Sequence, residues 1–470
     1  MPYQDLREFL ARLEGAKKLH RISKPVDKDW EIAAVSRVAF QSIPEDRRPA
    51  LFFENVAGFD IPVVAGVLGG SRSIYCLALD CEVRDVHKKW SEAEQHPIEP
   101  QRVSKGPVQE NILADKQVDL HRLPIPTWTV GQDPAPYITA GCVVTADPDS
   151  GIRNVGTYRV ELKGRRELGL FINYLQGGRE HVEKNNKSGR PAPVAIVLGT
   201  DPTIGLVSVT RLPQNVDELA VAGALRGAPV KVIKCTTVDL EVPASAEIVI
   251  EGRIRPNEPV REGPFGEYTG YMGPESMSYM VDVSCISHRN RPLFQAFISQ
   301  MPPSESSCIR STGRGSALYK HLVDDLHLPV CDVHLMECSG AAAYLVISIR
   351  KSHPAQPRVV MCAAWSFAPQ FGKFTVVVDE DIDIRDLAMV NWAMSFRVQP
   401  ERDVFIMPGM PAVSLDPSQA PENIVQQDPT RRVSSKLGID ATRKHAFPGV
   451  SLPPQEHLDR VRKEWKSYGF

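Results

Sequence analysis

Near the start of the chain, Leu6, Phe9, Leu10 and Leu13 fall at the i, i+3, i+4, i+7 spacing of one helix face. They predict an amphipathic helix over residues 5–14 that Gly15 can end. Short apolar runs at 51–55 and 63–67 predict strands. Residues 97–136 are rich in proline, which fixes φ and removes a donor, so extended connections are expected there rather than regular helix. From 137 to 299, β-branched runs alternate with turn residues. Strands are expected at 142–146, 158–162, 194–198, 230–234, 246–254, 280–287 and 293–299. A helix over 217–226, ended by Gly227, interrupts them. Strands this dense suggest a barrel or closed sheet.

The last third changes character. Apolar strands are expected at 344–349, 359–364, 374–378 and 404–407, with a helix at 385–396 that carries Leu387, Val390 and Met394 on one face. This alternation suggests a separate α/β layer. Residues 408–435 read as a long loop or arm. A final amphipathic helix near 455–466 sets Leu458, Val461 and Trp465 on one side, against its own chain or a partner subunit.

Composition narrows the classes. With 55 basic and 57 acidic side chains in 470 residues, a general nucleic-acid binder is excluded, since that needs a basic excess. The 42% hydrophobic and 24% charged content is that of a large globular protein of two or three domains. Nine cysteines without a C-x-x-C pair fit free thiols in a reducing compartment, neither a disulfide framework nor a zinc site. The first residues lack a basic stretch followed by an apolar one, and no apolar run approaches the ~20 residues of a membrane span. A soluble cytoplasmic protein is expected.

Three segments could carry chemistry. In Arg261-Glu262-Gly263-Pro264-Phe265-Gly266-Glu267-Tyr268 two carboxylates flank a Gly-Pro-Phe-Gly turn. Enclosed together, they could not both ionise easily; the one kept protonated would be a proton donor at neutral pH. Two solvated turn residues would leave the same pattern. In the segment 151–159, Asn154 and Arg159 stand five apart. Arg159 could fork a carboxylate, or be a surface hairpin residue. Glu218 begins an otherwise apolar helix, where it could simply complement the helix dipole. With the Asn154 amide it could equally serve a hard divalent cation, which prefers oxygen ligands. The glycine-rich stretches 66–70 and 312–316 fit neither dinucleotide nor P-loop spacing.

Taken in order, 118–124, 136–141, Asn154-Val155-Gly156-Thr157-Tyr158-Arg159, Glu218 with its Ala-Gly-Ala-Leu-Arg-Gly helix, Glu262 to Glu267, and Lys436-Leu437-Gly438-Ile439-Asp440-Ala441-Thr442 resemble the UbiD family of prenylated-FMN-dependent decarboxylases. The resemblance runs from the first helix to about Lys444. It implies an α+β, α/β multidomain chain: an N-terminal α/β segment over 1–110, a split β-barrel of the FMN-binding type over 111–305, and a C-terminal α/β oligomerisation domain with a terminal helix over 320–470. It implies prenylated FMN supplied by a flavin prenyltransferase, with its phosphate held through Mn2+ or another divalent cation beside K+. It also implies a homodimer or a dimer-based homohexamer.

The family's Glu-Arg-Glu network falls on Glu262, Arg159 and Glu267, and its metal-binding Asn and Glu fall on Asn154 and Glu218. Thr157, Tyr158 and Ser208 fall along the cofactor, Ser208 at the potassium and phosphate site. Many members carry a histidine as third metal ligand. Here that position falls on Gln176, or His181 serves after realignment. The activity implied is reversible, non-oxidative decarboxylation of aromatic, heteroaromatic or α,β-unsaturated acids, with Glu267 as proton donor, Arg159 orienting and Glu262 tuning charge. The lining would include parts of 301–314 and 391–397, where Asn391 and Arg397 would meet ring substituents. A conventional FMN oxidoreductase and a subunit of a larger carboxylase complex are the alternatives.

Overall fold

The computed structural model describes residues 3–173, 176–210, 212, 216–413, 415–419 and 433–469. The first helix is Leu6–Gly15. Asp5 caps it by accepting from the Glu8 N–H, and the predicted apolar face, Leu6, Phe9, Leu10 and Leu13, is buried. Gly15 does not supply the stop: Ala16 is the cap residue, and Lys17 takes the left-handed conformation at φ 58°. A four-stranded sheet follows in the order Leu19–Ile22, Ala50–Phe53, Val63–Ala65, Phe294–Gln295. Its last strand returns from far along the chain. The run expected as a barrel strand at 293–299 shortens to two paired residues and joins this sheet, parallel to Val63 and Val64.

The central element is a curled half-barrel of nine strands, not a fully closed one. Its spine is the antiparallel pair Ile248–Glu262 and Ser276–His288, flanked by Ala192–Leu198, Cys142–Ala146 and Arg153–Thr157 on one side and Glu167–Leu170, Val160–Gly164 and Tyr137–Ile138 on the other. Asn111–Ala114 pairs with the far end of Ser276–His288. Lys231–Lys234, expected within the barrel, instead forms a small sheet with Glu241–Pro243 and Gln101–Arg102. The strands Arg153–Thr157 and Glu167–Leu170 were not expected, because Arg, Asn and Gly dilute one and Glu and Gly the other.

The third layer is a five-stranded mixed sheet ordered Val330–Leu335, Tyr344–Ile349, Phe374–Asp379, Val433–Ala441, Val404–Pro411. The apolar run 359–364 is helix, not strand: Gln356–Phe367 starts with Pro357 in its first turn and buries Pro357, Val360, Met361, Ala364 and Trp365, a 3.6-residue stripe. That stripe packs on one face of the sheet against Leu345, Ile347, Ile349 and Val377. Leu387–Arg397 covers the other face with Val390 and Ala393; Leu387 itself is exposed. Much of the arm expected at 408–435 lies outside the described residues. The terminal helix Gln455–Lys463 buries none of its residues, and Val461 and Trp465 are exposed.

The helix Glu305–Lys320 joins the half-barrel to the third layer, and a capping box between Ser304 and Ser307 fixes its start. The Glu305 carboxylate, fully buried, accepts from the N–H groups of Gly66 (2.9 Å), Leu68 (2.9 Å) and Gly69 (3.3 Å). The first glycine-rich stretch is therefore a nest for an internal carboxylate. The second, 312–316, lies inside the helix. A Cβ at Gly69 would stand 2.7 Å from both the Glu305 carbonyl oxygen and the Ile309 side chain. Gly69→Ala is expected to cost about 1–3 kcal/mol of unfolding free energy, read from urea melts.

Candidate active site

Two antiparallel strands bring the acidic turn to Arg159. Glu262 ends Ile248–Glu262, and Gly263 turns the chain at φ 82°, where a side chain would be strained. Arg159 stands just before Val160–Gly164, with its guanidinium between the rings of Phe171 (4.3 Å) and Phe265 (5.4 Å). It forks Glu262: Nε donates to Oε1 at 2.7 Å and Nη2 to Oε2 at 2.8 Å. Its third nitrogen, Nη1, donates to Glu267 Oε1. The three groups named from sequence thus converge on one guanidinium. Burial works against the charge of Arg159, but Glu267 and Glu262 more than offset it, so its pKa rises.

The two carboxylates differ in access. The Glu262 side chain is 0% exposed and Glu267 19%. Burial pushes the Glu267 carboxyl above the ordinary glutamate range, against the charges of Arg159 and Arg310 and with that of Glu262. A partly accessible, reluctantly ionised carboxyl on a fixed guanidinium can deliver a proton to a bound molecule.

Sequence reasoning missed the groups that hold the turn. The Gly263 N–H donates to Tyr137 Oη at 3.1 Å and to Glu161 Oε2 at 3.4 Å, and Ser276 Oγ donates to Glu262 at 3.3 Å. Glu161 stands two residues after Arg159, the spacing of one strand face, which was its available signal.

A second cluster surrounds Glu218, whose helix Glu218–Arg226 is capped by Asp217 and ended by Gly227 in the left-handed conformation, as the sequence predicts. Glu218 accepts from Asn154 Nδ2 at 2.7 Å and from the Val155 N–H at 2.9 Å, while Tyr158 Oη donates to Asn154 Oδ1 at 3.0 Å. Burial raises the Glu218 carboxyl to about 7, and among the described residues no basic side chain pairs with it. Gly177 packs so close that a Cβ there would stand 2.8 Å from the Asn154 amide. Thr157 Oγ1 and Ser208 Oγ share a hydrogen at 2.7 Å, and Ser208 also donates to the Gly205 carbonyl at 2.8 Å.

The two third-ligand candidates flank Gly177 and Gly178, which pack against Asn154. Gln176 Oε1 accepts from the Asn173 N–H at 2.7 Å just before Gly177. His181 Nδ1 meets Thr145 Oγ1 at 2.9 Å, and Thr145 is the cross-strand partner of Asn154. A buried oxygen-rich pocket with an uncompensated carboxylate fits a hard cation. Arg397 does not face a substrate: it is buried and forks Asp381 at 2.9 and 2.8 Å while reaching Asp379 at 3.0 Å. Asn391 is exposed on the same helix.

A curled half-barrel carrying a Glu-Arg-Glu cluster is thus joined by one helix to an α/β layer. The family models for 3-octaprenyl-4-hydroxybenzoate carboxy-lyase match along the chain: the N-terminal domain at residues 10–94, the Rift-related domain at 101–302 and the C-terminal domain at 313–441. The chain belongs to the UbiD family of carboxy-lyases. An uncharacterised protein of Synechocystis sp. is 34% identical, covering 99% of this chain and 96% of its own. The UbiD-class enzyme HmfF of Pelotomaculum thermopropionicum, solved with FMN, superposes with a TM-score of 0.86 at 36% identity, covering 97% of this chain and 99% of that one. Vanillic acid decarboxylase of Sedimentibacter hydroxybenzoicus, in open form, gives 0.85 at 30% identity over 99% of this chain and 100% of that one. Apo 3,4-dihydroxybenzoic acid decarboxylase of Klebsiella pneumoniae gives 0.86 at 27%, over 97% and 99%. The expected family, fold class and enzyme class are thus borne out. Among the described residues no helix is long and apolar enough to cross a membrane.

Proposed function

We propose that this protein is a non-oxidative, reversible decarboxylase of aromatic, heteroaromatic or α,β-unsaturated carboxylic acids, with Glu267 as proton donor. The observation that carries this reading is the convergence of Arg159 on Glu262 and Glu267, one carboxylate sealed and the other reachable. When bound, prenylated FMN supplies the sink for the electron pair that departing CO2 leaves behind. Arg159 orients Glu267 and is itself fixed by Glu262. Glu267 holds a proton at its carboxyl and gives it to the carbon that has lost CO2. The rings of Phe171 and Phe265 confine the guanidinium and keep water from it. Screening aromatic and acrylic acids with protein co-produced with a flavin prenyltransferase, by CO2 release or deuterium uptake, tests the reading. No product from any acid in a flavin-loaded sample sinks it.

Asn154, Glu218 and Gln176 or His181 would hold Mn2+ or another divalent cation at the flavin phosphate, with Thr157, Tyr158 and Ser208 along it and K+ at Ser208. Removing Glu218 takes away the one charged ligand. Glu218→Ala is expected to weaken Mn2+ binding roughly 100-fold or more, since even outer contacts of a metal site change affinity 10–100-fold; equilibrium dialysis measures it. The exposed terminal helix suits a homodimer or dimer-based homohexamer. A second reading, a subunit of a larger complex, draws on the vanillic acid decarboxylase relative, which is ShVdcCD, solved with truncated ShVdcD. Activity of the isolated chain at its size-exclusion mass decides between them.

A further inference from the structure

Tyr137 is completely buried, yet its hydroxyl ends inside the acidic site. It stands on the edge strand Tyr137–Ile138 directly opposite Glu161, and Arg159 lies two residues before Glu161, on the same face. The Tyr137 carbonyl accepts from Trp128 Nε1 at 3.2 Å. Its ring lies 4.3 Å from that of Phe265, which in turn covers Arg159. Backbone and ring together fix where the hydroxyl points.

A tyrosine hydroxyl has one hydrogen to give and can also accept. This one accepts from the Gly263 N–H at 3.1 Å, so its own hydrogen is left for a carboxylate, and it hydrogen-bonds Glu262. Glu161, the other carboxylate in reach, already takes Lys163 Nζ at 2.6 Å on Oε1 and shares the Gly263 N–H at 3.4 Å on Oε2. One hydroxyl thus ties the side chain of Glu262 to the backbone of the next residue. Hydrogen bonds linked in this way polarise and strengthen one another.

Glu262 and Glu267 share Arg159 unequally. Glu262 has the fork, Nε and Nη2, with the hydroxyls of Tyr137 and Ser276. Glu267 has Nη1, with the charge of Arg310 acting from the linking helix. The other charged groups that face the pair are Glu161 with its Lys163, and Asp133, on which the charge of Arg159 acts. A fork and added neutral donors favour the anion. Two coupled carboxylates titrate as a pair, and these donors place the charge on Glu262 and the proton on Glu267.

We propose that Tyr137 is a positioning residue for the reaction: by bonding Glu262 and the Gly263 amide at once, its hydroxyl keeps the Arg159 fork on Glu262 and leaves Glu267 as the acid. The inference rests on the decarboxylase reading and deepens it, because it names what makes one of two glutamates the donor.

Tyr137→Phe fills the same space and removes only the hydroxyl. In flavin-loaded protein its kcat is expected to begin falling about one pH unit lower than in the parent, roughly a 10-fold loss on the alkaline limb. KM should stay nearly unchanged, since the hydroxyl is sealed from substrate. An unshifted limb, or a KM that rises as kcat falls, overturns the proposal. Ser276→Ala removes a longer hydrogen bond to the same carboxylate and is expected to move the limb the same way by less. A shift as large as that of Tyr137→Phe overturns the assignment to Tyr137. A second measurement needs neither flavin nor substrate. In flavin-free protein, Tyr137→Phe is expected to lower the melting temperature roughly twice as much in the parent as in Glu262→Gln, where no charge is left to support. Equal losses in the two backgrounds overturn the contact, and a Tyr137→Phe chain that folds in neither makes the role structural and overturns it too. If no acid releases CO2 from the flavin-loaded parent, the decarboxylase reading fails, while the melting comparison still decides whether Tyr137 holds Glu262.

Discussion

Glu267→Gln is expected to lower kcat roughly 10²–10⁴-fold, the range over which a placed general acid contributes. The amide keeps the shape and can still accept from Arg159 Nη1, so flavin content and melting temperature should stay near those of the parent. Only the transferable proton is gone. The pH profile carries an independent sign. Because burial raises the Glu267 carboxyl above its ordinary range, the protonated acid persists to higher pH than a free glutamate allows, and kcat is expected to fall as pH rises through that raised value. In the variant this alkaline limb should disappear from the residual rate. A variant that turns over at the parent rate with the same limb removes Glu267 from the chemistry.

Arg159→Met is expected to be the most destabilising single change in the site. Glu262 is fully buried, and its two oxygens lie on Arg159 at 2.7 and 2.8 Å, with the Ser276 hydroxyl at 3.3 Å and the Tyr137 hydroxyl as neutral support. Removing one partner of a buried pair leaves an uncompensated charge and costs about 3–5 kcal/mol. The pair itself is weaker evidence for stability than this number suggests, because burying both charges was already costly. Arg159→Met with Glu262→Gln should therefore regain much of the loss, and urea unfolding of the single and double variants measures the coupling. A loss below about 1 kcal/mol in the single variant would show that Glu262 has another charge partner. Both variants should be inactive.

Much of the site was legible because its chemistry sits in short motifs. Glycine and proline around Glu262 and Glu267 mark a turn wherever the chain goes, and Asp217 and Gly227 bracket the Glu218 helix by local capping alone. What was not legible depends on distant partners. The strand 293–299 carries the right residues, but nothing local says which sheet will take it. The run 359–364 is apolar at every position, so neither period shows until Pro357 and Trp365 are seen to share its buried face. Arg397 looks like a site residue in sequence because its partners, Asp379 and Asp381, lie on another strand and its loop.

The carboxylate that fills the Gly66–Gly69 nest bears on how the chain matures. A nascent polypeptide that has left the ribosome through residue 70 holds three amides whose acceptor, Glu305, is still 235 positions away (305 − 70). At 5–20 residues per second, that gap is on the order of 10–50 s of translation. Over that interval the early sheet also lacks its fourth strand at 294–295, leaving the edge at Val63–Ala65 unpaired. A chain released before residue 294 has no strand to seal that edge, and one released before residue 305 has no carboxylate for the nest.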